Sequence, residues 1–318
     1  NRITVTGPSV TFAHGFTAKF FRCEQPREVT LRFSAGDTYA ASDLRMLPGA
    51  GGSLTLRSTQ EGESWFLNAG AGAVCDGVSV ADCDARVGCA ICVTSYNDLD
   101  GNHNWRSGAT AWTGAKGTDW DDSENWSDGV PTPESDVRIF PTDNAPKLSS
   151  ATGIRSLVVG DGSGAVTLAL SGALAVSDFL RVNDGATMVI DQPLSVTNDV
   201  YLASGATLTH TAGTDKNPYK LNLYCGRDMV VEDGAVITAD NLGGSKKGAG
   251  TGGWGSGGSY GGRGNFGQNG GNPCYGSIRE PNDLGSTGQT GNGGGAIRLE
   301  VVGTLRVDGT ISSDGTQG

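Results

Sequence analysis

The chain has 318 residues, enough for one large β domain or two ordinary ones. Glycine is very high at 52 and proline modest at 11; together they make roughly a fifth of the chain, below the level of a low-complexity sequence. The net charge of −11 argues against a nucleic-acid partner, whose phosphates need a basic surface, and no apolar run reaches membrane-spanning length. The hydrophobic fraction of 36% is low for a compact enzyme and suits thin apolar stripes better than one thick core. Asn1-Arg2-Ile3 begins no signal peptide, so a mature protein or a fragment is expected.

The first third carries a series of short apolar segments: "KFFRC" (19–23), "VTLRF" (29–33), "DLRML" (43–47), "LTLRS" (54–58), "WFLNA" (65–69), "DGVSV" (76–80) and "AICVT" (90–94). Such a rhythm predicts strands, in either a β-sandwich or the successive faces of a β-helix. Seven cysteines occur, most of them in this part. "GCAIC" is a C-x-x-C, but no second metal-spaced pair or histidine cluster accompanies it, so zinc is disfavoured. A secreted-looking composition favours structural disulfides instead. Spacing suggests Cys75–Cys92 on adjacent coils, Cys83–Cys89 closing a short loop and Cys225–Cys274 clipping the glycine-rich stretch, with Cys23 left over. The segment "NDLDGNHN" (97–104) offers the oxygen ligands Asp98 and Asp100 for a loosely bound calcium, but it lacks the first acid of a calcium loop.

Next comes "AWTGAKGTDWDDSENWSDGVPTPESDVRIFP" (111–141). Trp112, Trp120 and Trp126 could stack on sugar faces, and Asp119, Asp121, Asp122, Glu124 and Asp128 could hold calcium. The third reading is a cap, because a solenoid needs its terminal edges covered.

The second half repeats. "FLRVNDGATMVI" (179–190), "VYLASGATLTH" (200–210) and "DMVVEDGAVITAD" (228–240) share one frame, and "TLRVDGTISSDG" (304–315) gives it again one residue shorter. Leu180/Val182, Val200/Leu202 and Met229/Val231 alternate with the period of two that marks strands. Gly185, Gly205 and Gly234 supply turns at positive φ. Repeats of this length, one supersecondary unit each, predict a solenoid.

Residues 243–295 are glycine-rich but include Trp254, Tyr260, Phe266 and Tyr275. A pure linker would lack the aromatics, so the stretch reads as an ordered loop leaving one turn of the solenoid. "GGSKKGAG" is not a phosphate-binding loop, because the G-x-x-x-x-G-K-[ST] pattern and its strand-to-helix unit are missing.

Catalytic signatures are thin. Asp184 and Glu232 fall near equivalent frame positions, with Asp308 close by, as paired carboxylates for glycoside cleavage would. An Asp before a turn glycine is, however, ordinary turn chemistry. The three histidines, His14, His103 and His210, are scattered, and no Ser-His-Asp or Cys-His constellation is identifiable.

"TLRFSAGDTYAASDLRMLPGAGGSLTLRSTQEGESWFLNA", "CDGVSVADCDA" and "NDLDGNHNWRSG" resemble a segment of giant bacterial secreted and cell-surface repeat proteins. "WTGAKGTDWDDSENWSDGVPTPESDVRIF" resembles the segment that opens passenger-type β-solenoids of the autotransporter kind. "YGSIREPNDLGSTGQTGNGGGAIRLEVVGTLRVDGTISSDG" resembles the Gly-rich parallel β-helix coils of the same giant proteins. The resemblance implies a right-handed parallel β-helix in an adhesin-like surface protein. It supplies no catalytic residue, and the cysteines depart from it.

The expected fold is therefore all-β, a right-handed parallel β-helix with a long glycine-rich insertion at 241–295. Residues 1–106 form its β-rich N-terminal region or a separate sandwich, 107–141 a cap or connector, and 142–318 the main β-helix. The expected function is a structural and adhesive segment of a large exported surface protein, without catalysis. Its partners would be other copies of itself, neighbouring surface proteins or glycans, and no cofactor is expected beyond the option of a loosely bound calcium. The alternative is a carbohydrate-binding or polysaccharide-cleaving β-helix, a lyase or glycoside hydrolase. "ISSDGTQG" stops mid-repeat, which suggests a fragment.

Overall fold

In the computed structural model every residue is described except 71, 215–216, 244–249, 251, 253–256, 261, 263–272, 289–290 and 317–318. The chain is all-β with parallel sheets; its described residues form no α-helix, only a 3-10 turn at Ser123–Asn125. It divides into two units, one of Asn1–Ala111 with Ser135–Arg138 and one of Trp112–Glu134 with Ile139–Gly318. Residues 112–134, expected as a cap or connector, thus go with the second unit.

In the first unit, the strands as far as Cys83–Asp84 alternate between two parallel sheets, and Ile91–Cys92 pairs with Trp105–Arg106 in a further one. Of the first two, one holds Arg2–Thr4, Phe16–Gln25, Thr38–Pro48, Trp65–Ala69 and Cys83–Asp84; the other holds Ser9–Phe12, Glu28–Phe33, Ser53–Ser58, Ser79–Val80 and Asn97–Asp98. A Greek-key sandwich pairs antiparallel strands, and no antiparallel ladder occurs among the described residues of this unit. The period of two sends alternate residues inward. Register then stacks Leu31 on Leu56 and Leu56 on Val80, all three fully buried. Aromatic rings fill one end of this core: Phe33 stacks on Phe12 at 5.3 Å and on Trp65 at 4.0 Å, with Tyr39 edge-on to Phe33 at 4.9 Å. Their polar tips are satisfied, as burial requires. Trp65 Nε1 donates to Ala81 O at 3.0 Å, and the Tyr39 hydroxyl donates to Phe12 O at 3.0 Å.

In the second unit the chain visits three parallel sheets in rotation. Lys147–Leu148, Val166–Leu170, Ala186–Ile190, Thr207–Thr209, Val236–Thr238 and Thr310–Ser312 make the first. Thr152–Ile154, Leu174–Val176, Leu194–Val196, Leu221–Cys225 and Ile297–Val301 make the second. Ser156–Val159, Leu180–Val182, Val200–Leu202, Met229–Val231 and Leu305–Val307 lie together in the third. Like stacks on like: Leu168, Met188, Leu208 and Ile237 form one inner column, and Leu174, Leu194 and Leu223 another, all of them at most 1% exposed. The repeat frame expected from sequence is this register, with Gly185 and Gly205 turning the chain at φ 74° and 81°.

The glycine-rich stretch interrupts one turn without breaking the ladder. Before it comes Val236–Thr238; after it, Ile297–Val301 pairs with Leu221–Cys225 in register, Leu223 against Leu299. It is therefore an excursion within one unit and not a hinge between two. Its described residues are knitted by backbone bonds, among them Gly243 N to Gly293 O, Gly285 N to Gly294 O and Tyr275 N to Tyr260 O. Tyr260 and Tyr275 pack edge to face at 5.0 Å. A Cβ on Gly293 would lie 2.2 Å from Gly285 O, which explains the glycine: two backbones touch there. Trp254 and Phe266, expected to pin the loop, lie outside the described residues.

Candidate functional site

The tryptophans are packed, not presented. Trp112, Trp120 and Trp126 are 3%, 0% and 5% exposed. Trp126 meets Trp112 edge-on at 5.0 Å and Trp120 at 4.7 Å. Trp112 Nε1 donates to Asn144 O at 2.7 Å, and Trp126 Nε1 to Trp120 O at 2.8 Å. Buried and packed edge to face, none offers a surface to a sugar ring, so the expected carbohydrate platform at Trp112, Trp120 and Trp126 is in the structure a packed cluster. Asn125, 1% exposed, ties its loop: its Oδ1 accepts from Lys116 N at 2.7 Å and Gly117 N at 3.0 Å, and its Nδ2 donates to Asp119 O at 2.9 Å.

The acids expected to bind calcium are engaged in turns. Asp119 Oδ1 accepts from Asp121 N at 3.1 Å, and Asp122 Oδ1 from Glu124 N at 2.9 Å, where it caps the 3-10 turn. In the first unit Asp98 Oδ1 accepts from Asp100 N at 3.0 Å and from Asn102 Nδ2 at 2.6 Å, which holds its carboxyl below the usual range. Asp100 Oδ1 accepts from Gly101 N at 2.8 Å. Asp and Asn favour such local bonds to the backbone. Among the described residues, Asp98, Asp100, Asp119, Asp121 and Asp122 included, no group of three or more His, Cys, Asp or Glu side chains is placed to hold a metal ion.

No two of the seven cysteines stand at disulfide distance. The expected pairs Cys75–Cys92, Cys83–Cys89 and Cys225–Cys274 are corrected on this point. Cys225 is fully buried, with its Sγ 3.2 Å from Asn198 O, whereas Cys274 is exposed. Cys83 is fully buried and Cys89 only partly so. Cys23 pairs in register with Met46, and the Arg45–Val74 bridge sets Met46 beside Cys75, giving a buried sulfur column. Burial pushes the Cys23 thiol up to about 11, and those of Cys75 and Cys83 upward too. Such thiols behave as small apolar side chains rather than nucleophiles.

Of the acids considered for glycoside cleavage, Asp184 does not face Glu232, whereas Asp308 stands beside Glu232 at the end of the next strand. The register Val182–Leu202–Val231–Val307 puts Asn183, Ala203, Glu232 and Asp308 at equivalent positions, one residue out of step with Asp184. Asp184 is exposed, and Glu232 is 2% exposed. Around Glu232 lies a polar chain crossing adjacent strands. Tyr201 donates its hydroxyl hydrogen to Glu232 Oε1 at 3.0 Å, Arg306 reaches the same oxygen at 2.6 Å, and the Arg181 guanidinium lies 4.4 Å from the Tyr201 ring centroid. Sequence reading missed Arg181 and Tyr201, because the repeat frame leaves the position between its apolar residues open to any side chain.

The described residues also form a cleft of about 620 Å³ in the second unit. One wall comes from the outer face of Leu221–Cys225 and Ile297–Val301, where Lys220 and Asn222 stand next to Arg298; Glu280, Pro281 and Asn282 of the excursion make the other. Lys220 Nζ donates to Asn282 O and lies 3.9 Å from Asp283 Oδ1, and Arg298 pairs with Glu300 at 2.8 Å. The alternation in "LNLYC" and "IRLEV" marks these residues as outward. Their meeting across the excursion was not visible, because 76 residues separate the paired positions.

A protein-family model described as "Domain of unknown function (DUF8693)" matches residues 111–216, the span of the tryptophan cluster and the first repeats. No curated protein matches the chain, and no solved structure matches it.

Proposed function

We propose that the chain is a right-handed parallel β-helix serving as a structural and adhesive segment of a large exported cell-surface protein, without catalysis. The observation that supports this most is the rotation of strands through three parallel sheets in the second unit, each pairing in register with its counterpart one repeat away. A coil that returns once per repeat produces this order, and parallel crossovers in one sheet are right-handed in nearly all proteins. The buried tryptophans, the turn-bound acids and the one-residue offset between Asp184 and Glu232 favour a scaffold over a glycosidase. Extracellular placement follows from the surface-protein resemblance.

An antibody raised against this chain tests the reading on intact source cells. A cell-surface antigen far above the 32.5 kDa of this sequence, removed by protease shaving, is the expected result. An antigen found only inside the cells, unaffected by shaving, would overturn it. The glycan-binding alternative is favoured by one feature, the cation-walled cleft.

A further inference from the structure

The chain carries a net charge of −11, yet one wall of the 620 Å³ cleft presents two cations, Lys220 just before one strand and Arg298 on its neighbour, with Glu280 on the other wall. Leu221 pairs with Ile297 and Asn222 with Arg298, so Lys220, Asn222 and Arg298 lie together on one outer face. Tyr224 follows two residues beyond Asn222 on that face, is 40% exposed and pairs in register with Glu300. The side chains of Lys220 and Arg298 are 37% and 62% exposed. Their acid partners Asp283 and Glu300 are 54% and 53% exposed. Exposed pairs of this kind contribute little and are readily exchanged. The cleft lies in the usual size range for ligand sites.

We propose that this cleft binds an acidic polysaccharide, with a uronate carboxylate held between Lys220 and Arg298. A guanidinium fork matches a planar carboxylate, and an ammonium adds a point charge beside it. Asn222 and Asn282 supply amide donors and acceptors for sugar hydroxyls, and Tyr224 supplies an amphipathic ring on the same outer face, two residues beyond Asn222. A neutral glycan would have no use for the paired cations. The proposal deepens the adhesive part of the proposed function and rests on it only for access to the outside of the cell.

Titration calorimetry of the full chain with tetragalacturonate at low salt tests it. Expected is saturable binding that weakens as salt rises and drops about tenfold in Arg298→Gln, the loss of one charge-assisted pair. Lys220→Gln and Tyr224→Ala should weaken it as well, with circular dichroism unchanged. The same oligosaccharide with its carboxylates reduced to alcohols needs no variant and should not bind. The proposal is overturned by absent binding, by equal binding of the reduced oligosaccharide, or by binding that Arg298→Gln leaves untouched in a folded protein. If binding is found but the antigen proves intracellular, the site stands and the surface reading falls.

Discussion

His210 Nε2 accepts a hydrogen bond from the backbone N–H of Ala296, 86 residues further on, at 3.3 Å. Its other ring nitrogen lies 2.8 Å from Thr211 O, so the neutral tautomer with the proton on Nδ1 satisfies both contacts. The ring thereby closes the point where the glycine-rich excursion returns to the ladder. Burial pulls its pKa below the ordinary imidazole value, opposed by the Thr211 carbonyl and by Asp191, which bonds the Thr211 amide and hydroxyl. Protonation would put a hydrogen on the nitrogen that must accept.

Stability should therefore depend on pH in one direction. Above about 6.5 the ring is neutral in both folded and unfolded chains, and its full contribution is present. As pH falls below that value the unfolded chain takes up the proton first, and stability declines until the lower folded-state pKa is passed. Thermal melts of the native chain and of His210→Gln check this. The native Tm should fall between about pH 7 and pH 5, and the variant, which cannot titrate there, should lose that part of the slope. Parallel slopes would assign the pH dependence to other groups.

Trp126 stands between Trp112 and Trp120, so Trp126→Ala should act on folding and not on recognition. Removing a buried aromatic typically costs about 3–5 kcal/mol, and denaturant titration of the second unit should read a loss of that order. Asn125→Ala should cost less, about 1–3 kcal/mol, by stripping partners from three backbone groups. A Trp126→Ala chain of unchanged stability that had lost glycan binding would return the tryptophans to a binding role.

The repeat frame was legible because Leu180/Val182, Val200/Leu202 and Met229/Val231 alternate with turn glycines at a fixed offset, and strand period and turn chemistry are local properties. In the described part of the excursion, two of the aromatics that suggested an ordered loop, Tyr260 and Tyr275, pack on each other. Other features depend on distant neighbours. Whether Trp126 faces a sugar or another tryptophan is decided by Trp112 and Trp120 together. Cys225 and Cys274 look alike in sequence, yet one enters the inner face of a strand and the other stays on the surface. The one-residue offset between Asp184 and Glu232 is fixed by the ladder Val182–Leu202–Val231, and alignment on Gly185, Gly205 and Gly234 gives the same frame.

Asp84 tests a second, acid-side dependence. Arg86 donates to its Oδ1 at 2.9 Å and its Oδ2 at 2.6 Å, which together with the Arg86 amide lowers the Asp84 carboxyl to about 2. A carboxylate depressed in the folded state gives stability that is full above its unfolded value of about 3.9 and lost as pH falls towards the folded one. Arg86→Ala should move the onset of acid unfolding of the first unit to higher pH, read by circular dichroism. An unchanged onset would mean that the bidentate pair contributes nothing in solution.

The Gly293 backbone lies against Gly285, so Gly293→Ala must push the two segments apart. Three features confine the damage: Leu221–Cys225, Ile297–Val301 and the columns between them do not depend on that contact. Hydrogen exchange should therefore show faster exchange at the Gly243 and Gly285 amides, which bond Gly293 and Gly294, with little change in the ladder strands. Global unfolding of the second unit by this one methyl group would mean that the excursion is part of its core.

Glu232 is the place where burial, charge and register meet. Its carboxylate, 3% exposed, accepts from the Tyr201 hydroxyl one strand before and from Arg306 one strand after. Glu232→Gln keeps the shape but removes the charge, and should cost about 1–3 kcal/mol because two donors lose a charged acceptor. Tyr201→Phe removes a single bond and should cost about 1 kcal/mol. Because both act through one oxygen, the double variant should cost less than the sum. Arg306, half exposed and also 3.3 Å from Asp308, has water and a second acid to turn to, so Arg306→Gln should be milder than Glu232→Gln. Strict additivity of Tyr201→Phe and Glu232→Gln in denaturant titrations would show that the chain of contacts is not energetically coupled, and Glu232 would then be a buried acid held by packing alone.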